Sequence, residues 1–137
     1  MRRYLLDTGV ASDYVNDRRG VPVRCRALVS KGQRIGLCPP VYGELLGGIE
    51  LSQTREPNLK KVFRVRSHFA MWPFDEEASE EYARLFATLT RIGRPMQQID
   101  IQVAAVAIAQ GNTTVVTYDS DLSAVPGLSV ENWLETK

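Results

Sequence analysis

One histidine, His68, stands in the whole chain. That scarcity argues against a Ser-His-Asp triad and against a histidine-rich zinc site. Cysteine is nearly absent too: Cys25 and Cys38 have no metal-type spacing, and two lone thiols fit a reducing cytosol, so a cytoplasmic location is expected. No apolar run approaches the length of a membrane span. Arg2 and Arg3 precede an apolar stretch too short for a signal peptide, so no membrane partner is expected. Neither sign of charge dominates: the net charge is +1, which gives no bulk signal for nucleic acid or membrane.

What is present is an ordinary globular composition, 44% hydrophobic and 24% charged, in 137 residues. That length predicts one domain over 1–137 with a real core. The chain is organised around Tyr4-Leu5-Leu6-Asp7-Thr8, a short apolar run ending in an acid and a hydroxyl. Such a run reads as a buried strand, and ligands of open α/β sheets bind outside the carboxyl ends of strands. A helix over Val10 to Asn16 follows, then a loop to Pro22, then a helix closed near Gly32. Arg34 to Cys38 predicts a second strand, stopped by Pro39-Pro40, which start a third helix. A fourth helix is expected from Pro57 to Phe69, a short strand over Ala70 to Phe74, and a fifth helix from Asp75. Val103 to Ile108 are apolar throughout, which predicts a buried helix with Asp100 in its first turn. Thr114 to Thr117 is a β-branched strand that runs into Tyr118-Asp119-Ser120-Asp121, and a last strand is expected near Leu128 to Val130.

Alternating strands and helices imply a parallel sheet with helices on both faces. On it, Asp7, Glu44, Asp100 and Asp119 or Asp121 come from two strand ends and two helices and can converge. Val41, Glu44, Leu45 and Gly48 fall on one helical face, so Glu44 is expected in the apolar stripe, where a lone carboxylate is costly unless paired, neutral or bound to a cation; the plainer reading is a tilted helix with Glu44 at the rim. Gly47 and Gly48 are expected to permit a close backbone approach. Asp7 also has a plainer reading as a helix cap, and Asp100 as a complement to its helix dipole. Clustered carboxylates repel one another unless a cation joins them, and oxygen ligands without His or Cys select Mg²⁺ or Mn²⁺. That chemistry cuts phosphodiesters. Lys60, Lys61 and Arg64 make the fourth helix basic and are candidate RNA contacts.

These residues carry a resemblance. Leu5-Leu6-Asp7-Thr8, Glu44-Leu45 with Gly48 and Ser52, Gly93-Arg94-Pro95 with Asp100 and Ala104-Ala105, then Val115 to Asp119, Val125-Pro126-Gly127-Leu128 and Trp133, stand in the order seen in PIN-domain ribonucleases of the bacterial VapC toxin type. The chain resembles that family over nearly its whole length. The resemblance implies a PIN-like three-layer α/β/α fold with a central parallel sheet of about five strands. It also implies a metal-dependent endoribonuclease, a homodimer, a cognate VapB-type antitoxin and structured RNA, often tRNA, as substrate. Asp7, Glu44, Asp100 and Asp119 are then the catalytic acids, with Asp7, Asp100, Asp119 and Asp121 as metal ligands, supported by Thr8 and Thr117. Two positions depart from the pattern. Gly9 stands where the family usually has Asn or Ser, removing a side chain that could orient Asp7; and both Asp119 and Asp121 are candidates for the fourth acid. Two rivals remain at this point: a receiver-type α/β domain, and a PIN-like module that binds RNA or protein without cutting.

Overall fold

The computed structural model describes residues 1–134. Five short strands form one all-parallel sheet: β1 (Arg3–Leu6), β2 (Arg34–Leu37), β3 (Ala70–Met71), β4 (Thr113–Val116) and β5 (Ser129–Glu131), in the order β3-β2-β1-β4-β5. Helices α1 (Thr8–Val15), α2 (Val21–Ser30), α3 (Pro39–Glu50), α4 (Arg55–Val65), α5 (Glu76–Arg91) and α6 (Gln98–Gln110) fill the connections and cover the sheet. The expected three-layer architecture with about five parallel strands is the one observed. The strand order also disposes of the receiver rival, whose sheet runs 2-1-3-4-5.

The core follows from composition. All four residues of β4 are buried, Leu5 and Leu6 of β1 have no exposed surface, and Ile101 and Val103 to Ala107 of α6 are buried as their apolar run requires. A strand covered on both faces loses the polar-apolar alternation. Cys25 and Cys38 are free thiols in this core, and burial pushes both up to about 12, so neither is a nucleophile at neutral pH. Among the described residues no helix is long and apolar enough to cross a membrane.

Several boundaries differ from expectation for local reasons. β1 stops at Leu6 and α1 begins at Thr8, because Asp7 has turned to cap it. The fourth helix starts at Arg55, with Pro57 tolerated in its first turn, and ends at Val65. Arg66–His68 then tightens to a 3-10 turn, which frees Phe69 to adopt extended backbone and pack against Tyr14 with ring centroids 4.6 Å apart. β3 holds two residues and not five: Trp72 N–H still bonds Leu37 O at 2.8 Å, but the next rung needs an N–H from Pro39, which has none.

The close approach expected at Gly47 and Gly48 is not there; a Cβ at either would meet open space. It lies instead at Gly36 in β2, where a Cβ would stand 2.6 Å from the Trp72 ring. Gly36→Ala should therefore destabilise the fold by about 1–3 kcal/mol through overpacking. Gly47→Ala, in an open helical position, should stabilise it by about 0.5–1 kcal/mol. Urea unfolding of the two variants checks the opposite signs, and equal effects would contradict the placement of Trp72.

Candidate active site

The site is built by strand register. Parallel pairing sets Leu6 opposite Val116, and Asp7 N–H continues the ladder to Val116 O at 2.9 Å, so the next residues on the two strands, Asp7 and Thr117, leave the sheet side by side. Thr117 is 1% exposed; its hydroxyl donates to Asp7 Oδ2 at 2.9 Å and accepts from the Asp119 N–H at 3.0 Å. Asp7 Oδ1 accepts from the Thr8 N–H at 2.8 Å. The helix-capping role is real, yet it engages only the first amide of α1, which leaves the carboxylate aimed across the strand ends. α3 leaves β2 at this same edge and brings Glu44, whose Oε1 accepts from the Thr8 hydroxyl. α6 runs back to β4, so its N-terminal turn, with Asp100, returns to the edge as well. Asp119 caps a 3-10 turn over Ser120–Ala124, accepting from the Asp121 N–H at 2.9 Å.

Electrostatics show which acids face each other. Burial holds the Asp7 carboxyl above its ordinary range, hydrogen bonds from Thr8 and Thr117 pull it down, and the charges of Glu44 and Asp119 add to the rise. Asp100 is pushed up to about 6, first by burial and then by Asp7, Asp119, Glu44 and Asp121. Asp119 thus bears on both half-buried acids, and Asp121 bears last and on Asp100 alone. Among the described residues no ion pair neutralises any of these five acids, and no three of them are gathered tightly enough to be gripping one ion. Like charges stand apart until a cation joins them. The donors suit a hard divalent ion: all are carboxylate oxygens, and Asp7 is fixed in direction by two donors.

The sequence expected Asp7, Glu44, Asp100 and Asp119 or Asp121 at one edge with Thr8 and Thr117 in support; Thr8 bonds Glu44, Thr117 bonds Asp7, and the charges of Asp7, Asp119, Glu44 and Asp121 all bear on Asp100. Glu44 is a correction in one respect. Val41 and Leu45 are buried, but Glu44 is exposed at the rim, outside the apolar stripe, because α3 turns that face toward the first turn of α1. Beside it a groove of about 240 Å³ runs between α1, α3 and α4, lined by Ser12, Asn16, Ser52 and Asn58 among others. Lys61 reaches its edge, with Nζ 3.3 Å from Asn16 Oδ1; Lys60 and Arg64 are exposed. Among the described residues, none of these three bases is bonded to the acids.

One acid escaped the sequence reading. Asp13 is 4% exposed, and its Oδ2 accepts from Tyr118 Oη at 2.6 Å and Arg19 Nη1 at 2.8 Å. Burial opposes its charge, but the Tyr118 and Arg19 hydrogen bonds outweigh it and hold the carboxyl below its ordinary range. The signal was available: Val10, Asp13 and Tyr14 share one helical face, and the other two are buried.

A sheet of this order with acids converging at its carboxyl edge defines the class. The chain belongs to the PIN-domain family, whose model matches residues 4–128. Within it, the chain is 26% identical over 130 residues to ribonuclease VapC2 of Rickettsia felis, covering 95% of this chain and 97% of that one. It is 27% identical over 133 residues to the tRNA(fMet)-specific endonuclease VapC of Shigella flexneri, covering 97% and 99%. The crystal structure of VapBC2 from Rickettsia felis bound to a promoter DNA fragment superposes with a TM-score of 0.88 at 26% identity, covering 96% of this chain and 98% of the other. PIN ribonucleases depend in general on a divalent metal.

The raised carboxyls predict a pH signature in protein treated with chelator. The folded Asp100 carboxyl titrates near 6 against 3.8 for the ordinary group, so between those values the folded state holds more protons than the unfolded state. Stability contributed here therefore falls as pH rises from about 4 to about 6, then levels off. Asp100→Asn should remove that fall. At pH 7 the variant should be the more stable by on the order of 1 kcal/mol, after discounting for solvent screening, with the gap closing toward pH 4. Thermal melts across pH check this; a wild-type advantage at pH 7 would mean that Asp100 serves chiefly its helix dipole.

Proposed function

We propose that this chain is one domain acting as the toxin of a VapBC-type pair: an endoribonuclease that hydrolyses RNA phosphodiester bonds with Mg²⁺ or Mn²⁺. The observation that carries this reading is the convergence of Asp7, Asp100, Glu44 and Asp119 at one sheet edge in a PIN fold. Asp7, Asp100 and Asp119 would hold the ion, with Asp121 as an outer acid. An ion bound there supplies the charge that makes hydroxide from water and offsets the charge developing on the phosphate. Thr117 and the Thr8 amide fix the direction of Asp7. The Thr8 hydroxyl occupies Glu44 Oε1 and leaves Oε2 to take the proton of the attacking water. Relatives named for VapC and solved as VapBC complexes support a VapB-type antitoxin as partner; a homodimer, a tRNA substrate and a cytosolic setting complete the proposal.

The rival is a PIN-like module that binds without cutting, and Gly9 is the feature that favours it. Cleavage of RNA by the pure protein decides between them. We expect cutting with Mg²⁺ or Mn²⁺ and none in excess EDTA. Asp7→Asn and Asp100→Asn should each lower the rate by roughly a hundredfold or more. Undiminished cutting in EDTA sinks the metal mechanism, and no cutting with any divalent ion favours the rival.

Lys60, Lys61 and Arg64 would position the RNA backbone without selecting sequence. Replacing all three with Ala should weaken RNA binding and reduce the slope of log K against log salt by roughly two to three, near one per phosphate contact. An unchanged slope removes them from the RNA path.

A further inference from the structure

Asp13 is a buried carboxylate three residues beyond Val10 on the inner face of α1. For stability alone, an apolar side chain of the same shape would avoid the cost of burying the Asp13 charge. What the charge adds is direction. One of its two bonds ties α1 to Tyr118, the residue between Thr117 and Asp119, and the other holds Arg19 beside it. The Arg19 guanidinium closes over the phenol, 5.3 Å from the ring centroid. Under the ring lies Gly9, where a Cβ would stand 3.4 Å from Tyr118 Cδ2, so the ring edge rests on the first turn of α1 with no side chain between them. The turn that carries Asp119 is thus held to α1 twice: Thr117 bonds Asp7, and Tyr118 bonds Asp13.

We propose that Tyr118, Asp13 and Arg19 form a positioning clamp that holds the Thr117–Asp121 turn against α1, so that Asp119 faces Asp7 and Asp100. This rests on the ribonuclease reading for its purpose, though not for its geometry. None of the three residues need touch metal or RNA; they act through the backbone of the turn. Charge-assisted hydrogen bonds are the strong ones, so losing the Tyr118–Asp13 bond should loosen the turn by about tenfold in its opening equilibrium.

The test uses the full chain with Tyr118→Phe, which keeps the ring, and Arg19→Gln, a surface change that keeps the Tyr118–Asp13 bond. The first readout is amide hydrogen exchange by NMR in metal-free protein. Exchange at Asp119 and Asp121 should quicken about tenfold in Tyr118→Phe, and less in Arg19→Gln, with α6 amides unchanged. The second is Mn²⁺ titration and RNA cleavage. Tyr118→Phe should bind Mn²⁺ about tenfold more weakly and lower kcat, with KM for RNA unchanged. Unchanged exchange at both amides overturns the clamp. A loosened turn with Mn²⁺ affinity and kcat intact overturns its positioning role and leaves it a structural tie. Wild-type protein that neither binds Mn²⁺ nor cuts RNA overturns the ribonuclease reading instead, and the exchange result then upholds or rejects the clamp by itself.

Discussion

The site depends on one pairing, that of β1 with β4. Leu6 opposite Val116 is the last matched pair, and the two chains then leave the sheet together. Asp7 and Thr117 are neighbours because of that register, and a slip by one residue would turn each side chain to the other face. The chain enforces the register with its most buried residues: Leu5, Leu6, Val115 and Val116 have no exposed surface. The chemistry at the edge is therefore anchored by the apolar run just inside it.

What stands at that edge is electrostatically expensive. Asp7 is held above the ordinary carboxylate range by burial and by the charges of Glu44 and Asp119, and Asp100 by burial and by the charges of Asp7, Asp119, Glu44 and Asp121. Asp13, only six residues from Asp7, goes the other way because Arg19 and Tyr118 serve it. The contrast separates two uses of an acid. One is satisfied within the chain and belongs to structure. The others are left to repel, which is the arrangement a divalent ion would relieve and on which the functional reading rests.

The fold was largely legible because its signals are local. Short apolar runs bounded by Gly and Pro gave the strands, and the unbroken Val103–Ile108 run gave the central helix. The acids were legible because strand ends and helix starts fall at one edge of any parallel sheet. Helical periodicity misplaced Glu44, since it ranks positions on a face without saying where that face ends. The same rule applied to α1 points to Asp13, whose partners lie 6 and 105 residues away and leave no mark in the local pattern. The length of β3 depended on a single missing N–H at Pro39, and the end of α4 on the pull of the core on Phe69.

The two outermost strands are also the two shortest, two residues in β3 and three in β5, while the four-residue strands all lie inside. A free strand edge is a template on which another chain can lay its own backbone. Here that template scarcely exceeds one repeat of the ladder, and Pro73 interrupts it on one side. Copies of this protein crowded together in the folded state offer each other little backbone to zip onto, so amyloid-like growth would have to begin from a chain that has already come apart.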